Sequence, residues 1–180
     1  TKLSAPHNLF TSMKKLESRA SLLKYRNEIT KTTLLNYSID EINLENEDDV
    51  KIANEVNIPY SNIHTTKYVY DNETKVYKRY SYNVQNTDKV TREQYTTKNI
   101  IVINVKNYAD LENSDGGRQT LDNVGNGKGY YITNGYAIPI TYNKSSRESQ
   151  TIYKKLNGEE VMVNDGNTYI QIQPTTRKTT

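Results

Sequence analysis

The chain has no cysteine, no tryptophan and one phenylalanine, and its 180 residues include only two histidines. Without cysteine there is no disulfide, no thiolate nucleophile and no zinc site built on sulfur. His7 and His64 lie far apart in sequence, so a metal centre would have to recruit carboxylates to one of them; neither a metal nor a cofactor is expected. A Ser/His/Asp triad would need an elbow such as GxSxG, and none is present. No apolar run approaches the roughly 18 residues that a membrane-spanning helix needs. The opening stretch TKLSAPHNLF has neither the basic nor the apolar region of a signal peptide.

A dominant charge is missing too. The formal net charge is +3, from 24 basic and 21 acidic side chains that are interspersed along the chain. Such a surface has no strong field to hold a polyanion, and no nucleic-acid partner is expected. The length suits one well-buried domain, or one domain with a docked arm, because a domain of this size hides about 70% of its unfolded surface.

What is abundant is tyrosine, with 16 residues. Tyrosine packs half-buried pleated surfaces with its hydroxyl at the wet edge, so many tyrosines in a strand-rich chain need no further role. Helical periodicity is confined to Thr11 to about Tyr25, where Met13, Leu16, Ala20 and Leu23 recur on one stripe and Thr11 or Ser12 can cap the first turn. The acidic group Glu45, Glu47, Asp48 and Asp49 lacks the glycine and closing glutamate of a calcium loop and reads as a solvated turn. From Val56 the period becomes two. Val56, Ile58 and Tyr60 alternate with polar residues, as do Tyr68 and Tyr70, and Asp71-Asn72-Glu73-Thr74 turns the chain into Val76, Lys78 and Tyr80. Thr91 to Tyr95 suggests one helical turn, and the apolar run Asn99 to Val105 reads as a central strand. Asn134-Gly135 and Asn157-Gly158 are hairpin tips of type I′. Along the last strand Thr168, Ile170 and Ile172 alternate with Tyr169, Gln171 and Gln173.

The expected architecture is mainly β: an antiparallel sheet or sandwich of hairpins with one N-terminal helix. Residues 1–50 form a junction segment with helix and linker, 51–175 the β domain, and 176–180 a fraying tail.

Gly125-Asn126-Gly127-Lys128-Gly129 meets neither the P-loop nor the dinucleotide signature, since Gly follows Lys128 and Tyr130 stands where a third glycine is needed; it reads as a glycine-rich entry into a strand. His7, in Ala5-Pro6-His7-Asn8-Leu9-Phe10-Thr11-Ser12, reads first as part of a helix-entry device and is the one candidate for catalysis, since imidazole titrates near neutrality. Tyr142 and Lys144 share one strand face and Arg147 follows in a polar loop, a set able to grip an anion or a sugar. Arg118, in the turn Asp115-Gly116-Gly117-Arg118, either takes a carboxylate ligand or pairs with an internal aspartate.

The ordered motifs YxY then YKRY, KNIIV, GR, VGxGKGYYITNG, ITxxK and GNTxIQIQP resemble the C-terminal module of the YerB-like bacterial lipoproteins, the DUF3048 family. The resemblance runs from Thr1 to about Pro174 and is strongest from Tyr68 onward. It implies a protein exported by a Gram-positive bacterium, held at the membrane through an upstream lipid anchor and facing the cell wall. APHNL followed by TS resembles the family's junction between its halves, which implies that the N-terminal half of the same protein is absent from this chain. Two departures stand out: Trp is common in the family where this chain has Tyr142 and Tyr169, and a histidine is common near Val84 to Asp88. The family brings no established activity.

The leading expectation is a non-catalytic β module of a cell-surface lipoprotein that binds a cell-wall component or a membrane-associated protein through Tyr142, Lys144, Arg147 and Arg118. The alternative is part of an envelope hydrolase or transferase, with most of its active site in the N-terminal half and His7 contributing. A third reading is a stalk stiffened by Lys–Asn isopeptide bonds.

Overall fold

The computed structural model describes residues 4, 10–28, 33–109 and 119–180. It divides the chain into two units, Thr1–Leu34 and Leu35–Thr180.

The first unit holds helix α1, Met13–Leu22. Ser12 is its N-cap, with an extended backbone and a side-chain oxygen 3.4 Å from the Lys15 amide, satisfying one donor that the first turn leaves free. The helix ends where Lys24 turns left-handed (φ 54°) and the amides of Lys24 and Tyr25 return to the carbonyls of Ser21 and Ala20, a Schellman closure made without glycine. None of its side chains is buried. It begins where the stripe begins and ends at Leu22, short of the expected end near Tyr25.

The second unit is built from strands β1 (Asn36–Tyr37), β2 (Lys51–Ile52), β3 (Glu55–Pro59), β4 (Thr65–Asp71), β5 (Val76–Ser81), β6 (Val84–Gln85), β7 (Thr96–Thr97), β8 (Asn99–Ala109), β9 (Gln119–Asp122), β10 (Gly125–Thr133), β11 (Tyr136–Lys144), β12 (Ile152–Lys155), β13 (Met162–Val163) and β14 (Thr168–Pro174). A seven-stranded sheet runs β12-β11-β10-β8-β14, with β2 added to β11 and β9 to β8. A five-stranded sheet runs β3-β4-β5-β6, with β7 on β5, and β1 pairs with β13. Pairing is antiparallel except for β14 with β8 and β1 with β13. The protein is thus a mostly antiparallel β sandwich, with one helix among the described residues.

β8 is the keystone. Its run Ile100-Ile101-Val102-Ile103 is buried on both faces, as a near-continuous apolar strand requires. Ile101, Ile103 and Val105 join Tyr131, Ile138, Ile140 and Tyr142 under a cover made by Leu35, Leu44, Val161 and Val163. Ile100, Val102 and Ile132 meet Val56, Ile58, Tyr68 and Tyr77 of the five-stranded sheet. Gly129 lets β10 lie this close to β8: a Cβ there would sit 1.9 Å from the Val102 carbonyl oxygen. The glycine-rich run is therefore a strand entry, and its third glycine is a packing requirement.

The turns differ in kind. Asn134 and Gly135, both at positive φ (50° and 81°), form the two-residue type I′ tip between β10 and β11. At Asn157-Gly158 only Gly158 is left-handed (φ 91°); its amide bonds Lys155 O at 3.0 Å and the Lys155 amide bonds Glu159 O at 2.8 Å. That is a three-residue loop with a glycine bulge, not the type I′ turn expected. A third hairpin, β5 to β6, turns through Tyr82 and Asn83 at φ 51° and 59° with no glycine to announce it. The helical turn expected at Thr91 to Tyr95 is instead an Asx turn: Asp88 Oδ1 accepts from the amides of Val90 and Thr91 at 2.7 and 2.9 Å.

The segment from Leu35 to Val50 belongs with the sandwich, unlike the expected boundary at residue 50. Ile42 exchanges backbone bonds with the Asn164 amide group at 2.6 and 3.0 Å, and Leu44 is fully buried. Residues 176–180 are held as well: Thr180 and Asn57 exchange two backbone hydrogen bonds, and Arg177 donates to Asn62 at 2.6 Å.

Candidate binding site between the sheets

Of the sequence-nominated surface, Tyr142, Lys144 and Arg147 lie among the described residues. Tyr142 and Lys144 do share a face of β11, but that face carries Ile138 and Ile140 into the core. The Tyr142 ring is buried over Gly127, with its hydroxyl donating to the Asn104 carbonyl at 3.2 Å, so it offers no exposed stacking face. Lys144 turns its ammonium onto the Ser149 carbonyl, and Arg147 is exposed in the loop between. His7 and Arg118 lie outside the described residues. Among the described residues no three His, Asp or Glu side chains gather as metal ligands.

A different constellation forms where β14, the edge strand of the larger sheet, faces β4 and β5. Strand alternation turns Tyr68 of β4 and Arg79 of β5 inward, and Tyr60 follows directly after β3. From β14 come Tyr169 and Gln171. The inter-sheet space is apolar around Tyr77, Ile100 and Val102 and becomes polar here. Tyr60 donates its hydroxyl to Gln171 Oε1, and Gln171 Nε2 donates to the Tyr68 hydroxyl at 2.7 Å. Rings of Tyr68 and Tyr169 lie 6.0 Å apart, and the Arg79 guanidinium carbon is 5.6 Å from the centre of the Tyr169 ring. His64 extends the cluster outward: its Nδ1 is 2.9 Å from the Tyr82 hydroxyl, and its ring lies 5.6 Å from that of Tyr60.

Arg79 is the unusual member. Its Nη1 donates to Asn86 Oδ1 at 2.6 Å, but Nε is buried without a partner. Among the described residues no carboxylate lies within ion-pair distance of it. Nor do the phenols neutralise it. Burial pushes Tyr60 up to about 12 against the charge of the guanidinium, and burial drives Tyr68 higher still against a hydrogen bond with Arg79 and then its charge. Both stay protonated donors. The seam therefore carries a full positive charge and more hydrogen-bond donors than acceptors.

Sequence reasoning singles out YKRY and IQIQP as motifs but misses this site because it turns the wrong residues inward. It puts Val76, Lys78 and Tyr80 on one face of β5; the inward face carries Tyr77, Arg79 and Ser81. A lone arginine amid tyrosines in a β-rich run is the available signal.

The sequence model of "Protein of unknown function (DUF3048) C-terminal domain" matches residues 56–170, which spans every residue of this seam except Gln171. The chain belongs to the DUF3048 C-terminal domain family. Among solved structures, the DUF3048 chain is similar to the crystal structure of the YerB protein from Bacillus subtilis, with a TM-score of 0.72 and 21% sequence identity over 94% of this chain and 53% of that one. At that identity the likeness speaks for the fold alone, and the present DUF3048 chain spans about half the length of YerB. No curated protein matches it.

Proposed function

We propose that this chain is a non-catalytic binding module of an exported, lipid-anchored cell-surface protein, and that it binds an envelope component through the seam of Tyr60, Tyr68, Arg79, Tyr169 and Gln171. The observation that carries the reading is the partnerless buried Nε of Arg79 beside the Tyr169 ring. A buried polar atom without a partner costs about 1–3 kcal/mol, and the partly exposed Arg79 has no carboxylate within ion-pair distance among the described residues. Aromatic rings beside a guanidinium are groups on which sugars and anionic groups settle. The extracytoplasmic address is supported by the resemblance to the lipoprotein family. The hydrolase alternative draws its residues from upstream and from His7, and no observation on the described residues favours it.

The test is co-sedimentation of the full 180-residue chain with isolated Gram-positive peptidoglycan sacculi. The wild type is expected to pellet, and Arg79→Lys, which keeps the charge but loses the planar donor fork, to weaken binding at least about tenfold, the loss of one charge-assisted contact. Wild-type protein left in the supernatant, or a variant that pellets equally, overturns the reading. A falling turbidity of the sacculi would point to the hydrolase instead.

A further inference from the structure

β3 is the end strand of the five-stranded sheet, and Thr180 already lies along it: the Asn57 amide donates to the Thr180 carbonyl at 2.6 Å and the Thr180 amide to the Asn57 carbonyl at 3.0 Å. That reciprocal pair is one rung of an antiparallel ladder. Rungs recur at every second residue, so the amide and carbonyl of Glu55 face the same open edge, while the Asn54 carbonyl faces the other way and accepts from the Tyr70 amide of β4 at 2.8 Å. Among the described residues no backbone group pairs with Glu55 on that side. Pro59 has no N–H to give and its carbonyl is taken by Gln173, so the ladder open to a further strand consists of Asn57 and Glu55.

Where this edge meets β2, β10 and β11 there is a cleft of about 170 Å³, lined by Val56, Tyr130, Ile132, Ala137 and the tail residues Thr179 and Thr180. None of these residues belongs to the seam. On an antiparallel strand laid along β3, the residue one position beyond the place of Thr180 stands opposite Val56 and shares its face of the sheet, and Val56 points inward. The register therefore aims that side chain into the cleft. An apolar cavity of roughly 150 Å³ holds a benzene-sized group, so a branched aliphatic side chain fits. We infer that the edge of β3 is a docking site for an extended segment of a partner protein, which takes the place of Thr180 at Asn57, adds the rung at Glu55 and sets an aliphatic side chain in the cleft opposite Val56. Main-chain bonds attach such a strand and the cleft selects it. A sugar or a lipid tail has no alternating amides and carbonyls to satisfy Asn57 and Glu55 together. The tail is a light occupant: beyond Arg177 it is held by the Asn57 rung and by one bond from Thr179 Oγ1 to Gln173 at 3.1 Å.

The experiment titrates the full chain, labelled with ¹⁵N, with the blocked peptide acetyl-Lys-Thr-Thr-Leu-Thr-Lys-amide, whose second threonine, leucine and third threonine follow the register opposite Asn57, Val56 and Glu55. A saturable shift of the Glu55 amide is expected, with slower hydrogen exchange there and movement of the Thr180 amide as its rung is lost. Aspartate in place of the leucine should weaken binding at least about tenfold, and N-methylation of the third threonine, which removes the amide aimed at the Glu55 carbonyl, should abolish it. Ala137→Met, which fills the cleft from β11, should bring the leucine and aspartate peptides to equal affinity; if that variant loses its fingerprint spectrum, the modified peptides decide alone. No saturable response at Glu55 overturns the inference, as does equal binding of the aspartate or the N-methyl peptide to the wild type, or a Glu55 amide already protected in the free chain. A response to N-acetyl-leucinamide as strong as that to the hexapeptide would make the cleft a small-molecule pocket. Protection of Glu55 that rises with protein concentration alone would make the occupant a second copy of the chain. Either result overturns the partner strand.

Discussion

Lys98, Asn134 and Glu41 form the triad that a Lys–Asn isopeptide bond would require: Lys98 Nζ is 2.6 Å from Asn134 Oδ1 and 3.0 Å from Glu41 Oε1. The charge states oppose the bond. Hydrogen bonds from Lys75 and then Lys98 hold the Glu41 carboxyl at about 2, so near neutrality it is ionised and is not the acid that would protonate the Asn134 amide for attack. Intact mass should therefore equal the sequence mass, and a loss of about 17 Da, one ammonia, would mean that the crosslink forms. Because the folded pKa is lowered, the Glu41 contacts contribute their stability above pH 4.5, its ordinary value, and lose it as pH falls toward 2. Glu41 is 47% exposed, so screening keeps that contribution small. Glu41→Gln should flatten the acid limb of a Tm-versus-pH profile and leave the neutral region nearly unchanged; an acid limb identical to that of the wild type would remove Glu41 from the account. The same scale shows where sequence reading fails. Along β14, apolar Ile170 is 42% exposed while Gln171 and Gln173 are buried, the reverse of what hydrophobic alternation implies. Gln173 is tolerated inside because Pro59, Asn104 and Thr179 bond it, and most of these partners lie far off in the sequence.

At the scale of elements, β8, the β10–β11 hairpin and the mainly antiparallel pairing are legible because each carries a local signal: an apolar run, an Asn-Gly pair, period-two alternation. The Tyr82-Asn83 hairpin is not, since its left-handed residues carry side chains. Nor is the parallel pairing of β14 with β8, which joins segments distant in sequence. Glycine roles separate in the same way. At Gly158 a Cβ would meet nothing within 4 Å, and its need is only for φ 91°; Gly158→Ala should cost about 1 kcal/mol, the strain of a left-handed alanine. At Gly129 a Cβ would collide with the Val102 backbone, which cannot turn aside without opening β8 from β10. Gly129→Ala should cost more than about 3 kcal/mol or abolish cooperative unfolding, in line with overpacking against rigid backbone. Urea melts of the two variants check the order, and equal midpoints would mean that β8 and β10 are not as close as described.

At the scale of the whole molecule, both cores are built from residues at or after Leu35. The junction between arm and sandwich therefore falls at Leu34/Leu35, where sequence reading expects it near residue 50. That reading takes the polar, weakly periodic stretch before Val50 for a linker. The stretch contributes few side chains to the interior, but each has a fixed partner: Leu35 and Leu44 in the core, Asn36 donating to Glu160 at 2.8 Å, and Glu47 paired with Lys155. Two truncations decide between the boundaries. A chain of residues 35–180 retains both cores and should unfold cooperatively with a midpoint close to that of the full chain. A chain of residues 51–180 loses Leu35, Ile42 and Leu44, uncovers Val161 and Val163, and leaves the Asn164 side chain without its bonds to Ile42. Removal of each buried leucine alone is worth about 2–5 kcal/mol, a large share of the roughly 5–15 kcal/mol that holds a domain together, so the shorter chain should be molten or unfolded. Near-equal melting of the two truncated chains would return the boundary to residue 50 and make the cover of Leu35 and Leu44 dispensable.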